Sequence, residues 1–79
     1  VSDAAALRAF VEAIELHLGR LRGREVVLSP PDFALARAWH AAGIDLARVL
    51  AALDDHAARH PTVSLSAVRR SVEAKPDEA

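Results

Sequence analysis

Apolar residues recur along this chain at intervals of three and four, the spacing of one face of a helix, in three long segments and one short one. In the first segment Leu7, Phe10, Val11, Ile14, Leu18 and Leu21 form a single stripe, and Ser2 and Asp3 stand where they can cap a helix running to about Arg22. Arg8 with Glu12, and Glu15 with Arg22, fall outside the stripe, where they are expected to keep the outer face wet. Leu16 breaks the pattern. At about 100° per residue it points nearly opposite to Leu7 and shares its side with Ala5, Ala9 and Ala13, a second strip on which another helix could pack.

The clearest punctuation lies between Leu28 and Leu53. Ser29 suits an N-cap, Pro30 occupies the first helical position, and Asp32 follows three residues after the cap. Leu28 and Phe33 are placed to touch as a hydrophobic staple. The predicted helix, Pro30 to about Ala42, carries Phe33, Leu35, Ala36 and Trp39 around most of its circumference, with Arg37 and His40 as its main polar pair, and so is expected to be central. Gly43 sits where a left-handed residue would end it, Ile44 can pack back on Trp39, and Asp45 is expected to cap the next helix. That helix, Asp45 to about Arg59, has a stripe of Leu46, Val49, Leu50, Leu53 and Ala57, with Arg48, Asp55 and Arg59 opposite.

Between the first two helices Arg20, Arg22 and Arg24 alternate, Gly19 and Gly23 loosen the helix end, and Glu25 to Leu28 reads as an extended connector with Val26 or Val27 tucked inward. His60 precedes Pro61, which ends the third helix. Val63 and Val68 then bracket a cap at Ser64, and a short fourth helix carries Leu65, Val68 and Val72 inward. The expected fold is all-α, a compact bundle of three helices plus a short fourth, forming one domain over residues 1–75 with a frayed tail at 76–79.

Composition narrows the functions. Seventy-nine residues can bury only about 60% of their unfolded surface, so such a domain must pack well or associate. The apolar share is 52%, much of it alanine, which favours helix but brings little surface to bury. The absence of cysteine is compatible with the cytoplasm, and no apolar run approaches a membrane span of about 18 residues. The chain starts without Met, which suggests processing or a fragment of something longer. A net charge of −1 is unlike that of a strongly electrostatic nucleic-acid binder, although local basic patches exist.

Candidate chemistry is thin. His56 and His60, four apart beside Asp54 and Asp55, could point two imidazoles at one ion, but two ligands do not make a metal site. His17 and His40 read as residues on the rim of apolar faces. The serines are accounted for as caps or helix-surface groups, and no Gly-rich phosphate loop is present. No catalytic residue, metal, cofactor or small-molecule substrate is therefore expected.

Two resemblances carry further expectations. AWHAAGIDLARVL resembles the middle of a helix-turn-helix, with Gly43 at the turn followed by Ile44, Asp45 and Val49, although Trp39 stands where that motif usually has a small residue. Over a longer span, Val11 to Val72, several features together resemble the C-terminal helical domain of DnaD-type primosomal replication proteins. They are the acidic first helix, LSPPDF, a helix with a central Trp, a Gly turn, LARVLAALDDH and a serine-led short helix. Where that family closes on an aromatic-rich motif associated with single-stranded DNA, this chain has SLSAVRRSVEA. The resulting expectation is a non-catalytic helical interaction module, self-associating or meeting a protein partner through Ala5, Ala9 and Leu16 or through uncovered surface around the second helix. The alternative is a nucleic-acid-binding accessory domain using Arg20, Arg22, Arg24, Arg48, Arg69 and Arg70.

Overall fold

The computed structural model describes residues 3–73, all in helices and their connections. Helix α1 spans Asp3–Arg22, α2 Pro30–Ala41 and α3 Leu46–Arg59, and a single 3-10 turn at Ser66–Val68 runs directly into the short α4, Arg69–Glu73. This is the all-α bundle that the periodicity predicts. The cap assigned to Ser2 and the frayed tail at 76–79 lie outside the described residues.

Helix α1 is the shared element. It packs against both α2 and α3, whereas α3 also holds the 3-10 turn and α4. Its stripe delivers Phe10, Val11, Ile14 and Leu18 to the core, where they meet Ala36 and Trp39 of α2, Val49 and Leu53 of α3, and Leu65, Val68 and Val72 from the C-terminal segment. Leu21 departs from the expected pattern: it is 36% exposed. The last turn of α1 reaches the loop at Val63 through Arg22.

The centrality expected of α2 is also corrected. Only Ala36 and Trp39 are buried, while Phe33, Ala34, Ala38 and Ala41 are exposed. The helix is apolar all round by composition, but most of that surface is alanine, and each methyl gains too little from burial to compete for a place in the core. The molecule is a slab of 39 × 38 × 19 Å. Its thickness is about two helix diameters, so every helix keeps one face outside.

Helix ends follow local chemistry closely. Gly43, at φ +79°, closes α2: its N–H donates to the His40 carbonyl at 3.1 Å, and the Ile44 N–H donates to that of Trp39 at 3.0 Å. The Asp32 N–H donates to Ser29 Oγ at 3.5 Å, and the Ala67 N–H to Ser64 Oγ at 3.2 Å, so both serines cap as expected. Asp45 does not. Its backbone has the extended geometry of a cap and its carbonyl accepts from the Arg48 and Val49 N–H groups, but its carboxylate makes no capping bond.

Gly23, at φ +73°, is the residue that stops α1, and the N–H groups of Gly23 and Arg24 both donate to the Gly19 carbonyl. Gly19 itself does not loosen the helix. A Cβ there would lie 2.9 Å from the Arg24 carbonyl oxygen, so its lack of a side chain lets the connector fold back against α1. Gly19→Ala should therefore lower stability by about 1 kcal/mol or more, even though alanine is the better helix former by roughly that amount. Thermal melting checks this; a raised midpoint would show that the connector can move away without loss.

Candidate interaction surface

Several side chains that sequence reasoning placed on the wet surface tie elements together instead. Glu15 Oε2 accepts the Leu28 N–H at 3.0 Å, which supplies a partner to a backbone donor entering the core without a strand beside it. Arg22 donates from Nε at 3.2 Å, and also from Nη2, to the Val63 carbonyl, anchoring the loop that precedes the 3-10 turn. His17 Nε2 lies 2.7 Å from Asp54 Oδ1, joining α1 to α3, and Trp39 Nε1 donates to Glu73 Oε2 at 2.8 Å, joining α2 to α4. His17 and His40 are half-buried as expected, the latter edge-on to Phe10 at 5.2 Å between ring centroids.

With those groups committed, the uncovered apolar side chains define the surface. Among the described residues the exposed large hydrophobic ones are Leu16 (59%), Leu21 (36%), Val27 (80%) and Phe33 (40%). All belong to the second half of α1, the connector or the first turns of α2. Leu16 was legible from its position on the helical wheel, and Phe33 belongs to the second helix, whose uncovered surface was the other expected site; for the connector, either Val26 or Val27 was expected to turn inward. An extended segment alternates its sides, so a half-buried Val26 implies an outward Val27.

Two grooves flank this region of α1. One, of about 400 Å³, lies between Glu12, Leu16 and Arg20 on the helix and Arg24 to Val26 on the connector. The other, of about 660 Å³, is lined by Leu7, Val11, Val27, Leu28, Pro30 and Phe33, with Arg8, Glu12 and Glu15 along its edge. Leu28 and Phe33, the expected staple, both face this second groove, but Leu28 is buried and Phe33 is not. Ala5 and Ala9 line a separate depression with Arg8 and Glu12. Glu12 borders all three, so Ala5, Ala9 and Leu16 belong to one continuous outward side of α1.

The arginines do not act as one group. Arg20 and Arg24 share the groove beside Leu16, Arg22 is bonded to Val63, and Arg69 pairs with Glu73 at 3.3 Å and borders a different depression near Asp32. Arg48 is half-buried and Arg70 exposed. The His56 and His60 rings stack at 4.3 Å, and among the described residues no three His, Cys, Asp or Glu side chains gather as they would to hold a metal. No described helix is long and apolar enough to cross a membrane.

Compared with protein-family models, curated proteins and solved structures, the chain finds no match.

The commitment of Arg22 to Val63 gives a direct check. A charge-assisted hydrogen bond at a partly buried carbonyl contributes on the order of 1 kcal/mol, which corresponds to roughly 5 °C in a domain of this size. Arg22→Met should lower the melting midpoint by about that much, whereas Arg20→Met and Arg24→Met should leave it within about 0.5 kcal/mol of wild type. Equal effects at all three positions would show that Arg22 has no special structural role.

Proposed function

We propose that this chain is a non-catalytic helical interaction module, able to self-associate, that meets a protein through the outward side of α1 and the adjoining connector. The observation that carries this reading is the exposure of Leu16, Val27 and Phe33, which line the two grooves flanking α1; Leu21, also exposed, lies on the inward stripe and borders neither groove. Scattered single exposures are ordinary on a soluble domain, but a run of them beside two grooves is a surface suited to another protein. Glu15, His17, Arg22, Asp54 and Glu73 are engaged in holding elements together and so serve the fold. A cysteine-free chain of this kind fits the cytoplasm.

The nucleic-acid alternative draws less support. Arg22 and Arg69 are paired within the molecule, and α3, the reading helix in a helix-turn-helix arrangement, exposes Ala47, Ala51 and Ala58 together with Asp54, Asp55 and an Arg59 paired with Asp55, a face with little to offer phosphates or base edges. Fluorescence anisotropy with labelled single- and double-stranded DNA is expected to show no binding at physiological salt. Micromolar binding that falls with salt and disappears in Arg20→Met with Arg24→Met would move the function to nucleic acid and to those two residues.

Photo-crosslinking tests the interaction reading directly. With a photoreactive residue introduced singly at 16, 27 or 33 in the native host, protein adducts should form at these positions and not at the exposed control positions 47, 51 and 58 of α3. Equal yields on both sides, or none on either, would remove the reading.

A further inference from the structure

The interaction reading leaves the identity of the partner open, and the groove beside Leu16 narrows it. Resting on that reading, we infer that this groove receives a second copy of the chain, bound antiparallel across a two-fold axis that passes beside Leu16.

The argument begins with helix geometry. Glu12, Leu16 and Arg20 are four residues apart, so they form one ridge of the helix surface, drifting by about 40° and rising by about 6 Å at each step. Leu16 sits at the middle of this ridge and of the outward side, opposite the buried stripe of Ile14 and Leu18. Alongside runs the groove of about 400 Å³, walled by the connector that packs against Gly19 and lined there by half-buried Val26. The ridge of one helix and the groove next to it have the relation required for ridge-into-groove packing at a crossing angle of about −50°.

Charge then selects both the partner and its direction. Along the helix the groove is acidic at one end, with Glu12 and Glu15, and basic at the other, with Arg20. Its connector wall adds Arg24 and Glu25, which offset each other, so the charge asymmetry lies along the ridge from Glu12 to Arg20. A second copy laid antiparallel brings its Leu16 toward Val26, its Glu12 to Arg20, and its Arg20 to Glu12. Because the interface is isologous, each of these contacts occurs twice. A parallel copy would set Glu12 against Glu12 and Arg20 against Arg20, and an uncharged apolar partner would leave both ends unmatched. The existing partner of Glu12 does not compete strongly: Arg8 stands 3.9 Å away, and both side chains are largely exposed.

Sedimentation velocity on the whole chain, over about a hundred-fold range of concentration, tests the inference. The wild-type protein should show a reversible monomer–dimer equilibrium. Glu12→Lys and Arg20→Glu, each folded by circular dichroism, should weaken it by about tenfold or more. An equimolar mixture of these two variants should recover the dimer. In the mixed pair the lysine introduced at position 12 of one copy faces the glutamate introduced at position 20 of the other, and the native Arg20 and Glu12 that remain face each other. Leu16→Glu should weaken association alone and in any mixture. A wild-type chain that stays monomeric throughout, single reversals that associate like wild type, or a mixture that fails to recover would each overturn the antiparallel dimer. If the chain is monomeric yet crosslinks at position 16 to a different protein, the dimer falls and the interaction module stands.

Discussion

The connector that follows α1 folds back against that helix so closely at Gly19 that there is no room for a methyl group. This approach directs the chain from the end of α1 toward the core, where Leu28 is buried and its N–H meets Glu15. From there Ser29 starts α2 beside α1. The same approach builds the surface. Val26 turns in, Val27 turns out, and the connector becomes one wall of each of the two grooves flanking α1. A side chain at position 19 would have to push that wall away, disturbing the path into α2 and both grooves together.

A domain with so much alanine holds together differently from one rich in large side chains. Its core has one Trp and a limited set of Ile, Leu, Val and Phe, and several apolar positions on the helices contribute only a methyl group. Side-chain hydrogen bonds between elements supplement this packing. Arg22 to Val63, His17 to Asp54 and Glu73 to Trp39 each join segments more than 30 residues apart in sequence. Each is worth on the order of 1 kcal/mol, a substantial part of the marginal stability of a domain this small. The short α4 depends particularly on the Trp39–Glu73 bond and on the burial of Val72, since five residues are too few to form a stable helix alone.

What the sequence disclosed follows from how local the governing physics is. The ends of α2, the turn at Gly43 and the cap at Ser64 depend on residues within one turn, and all were legible in advance. The inward stripe of α1 and the outward position of Leu16 follow from periodicity. The roles of Glu15 and Arg22 did not, because an acidic or basic residue outside an apolar stripe looks the same whether it meets water or a backbone group more than ten residues away. The position of α2 was misjudged for a related reason: periodicity reports which side of a helix is apolar, but not whether enough surface lies there to make burial favourable. Gly19 was read as a weak point in a helix because its neighbour in space, the Arg24 carbonyl, belongs to a turn whose path cannot be seen from spacing alone.

The size of the terms also sets the character of any association through α1. Burying one Leu side chain fully gives about 1.5–3 kcal/mol, so a pair of Leu16 residues, each already partly covered, contributes only a few kcal/mol. The loss of translational and rotational freedom on dimer formation is of the same order or larger, about 4–15 kcal/mol. Leu16 alone therefore cannot hold two copies together. The rest must come from Val26 and from the charge pairs at the two ends of the groove. Exposed ion pairs are individually weak and screened by salt, and they determine orientation more than affinity. An interface made in this way forms and separates readily, weakens as ionic strength rises, and responds more to the placement of charge than to the amount of apolar surface it covers.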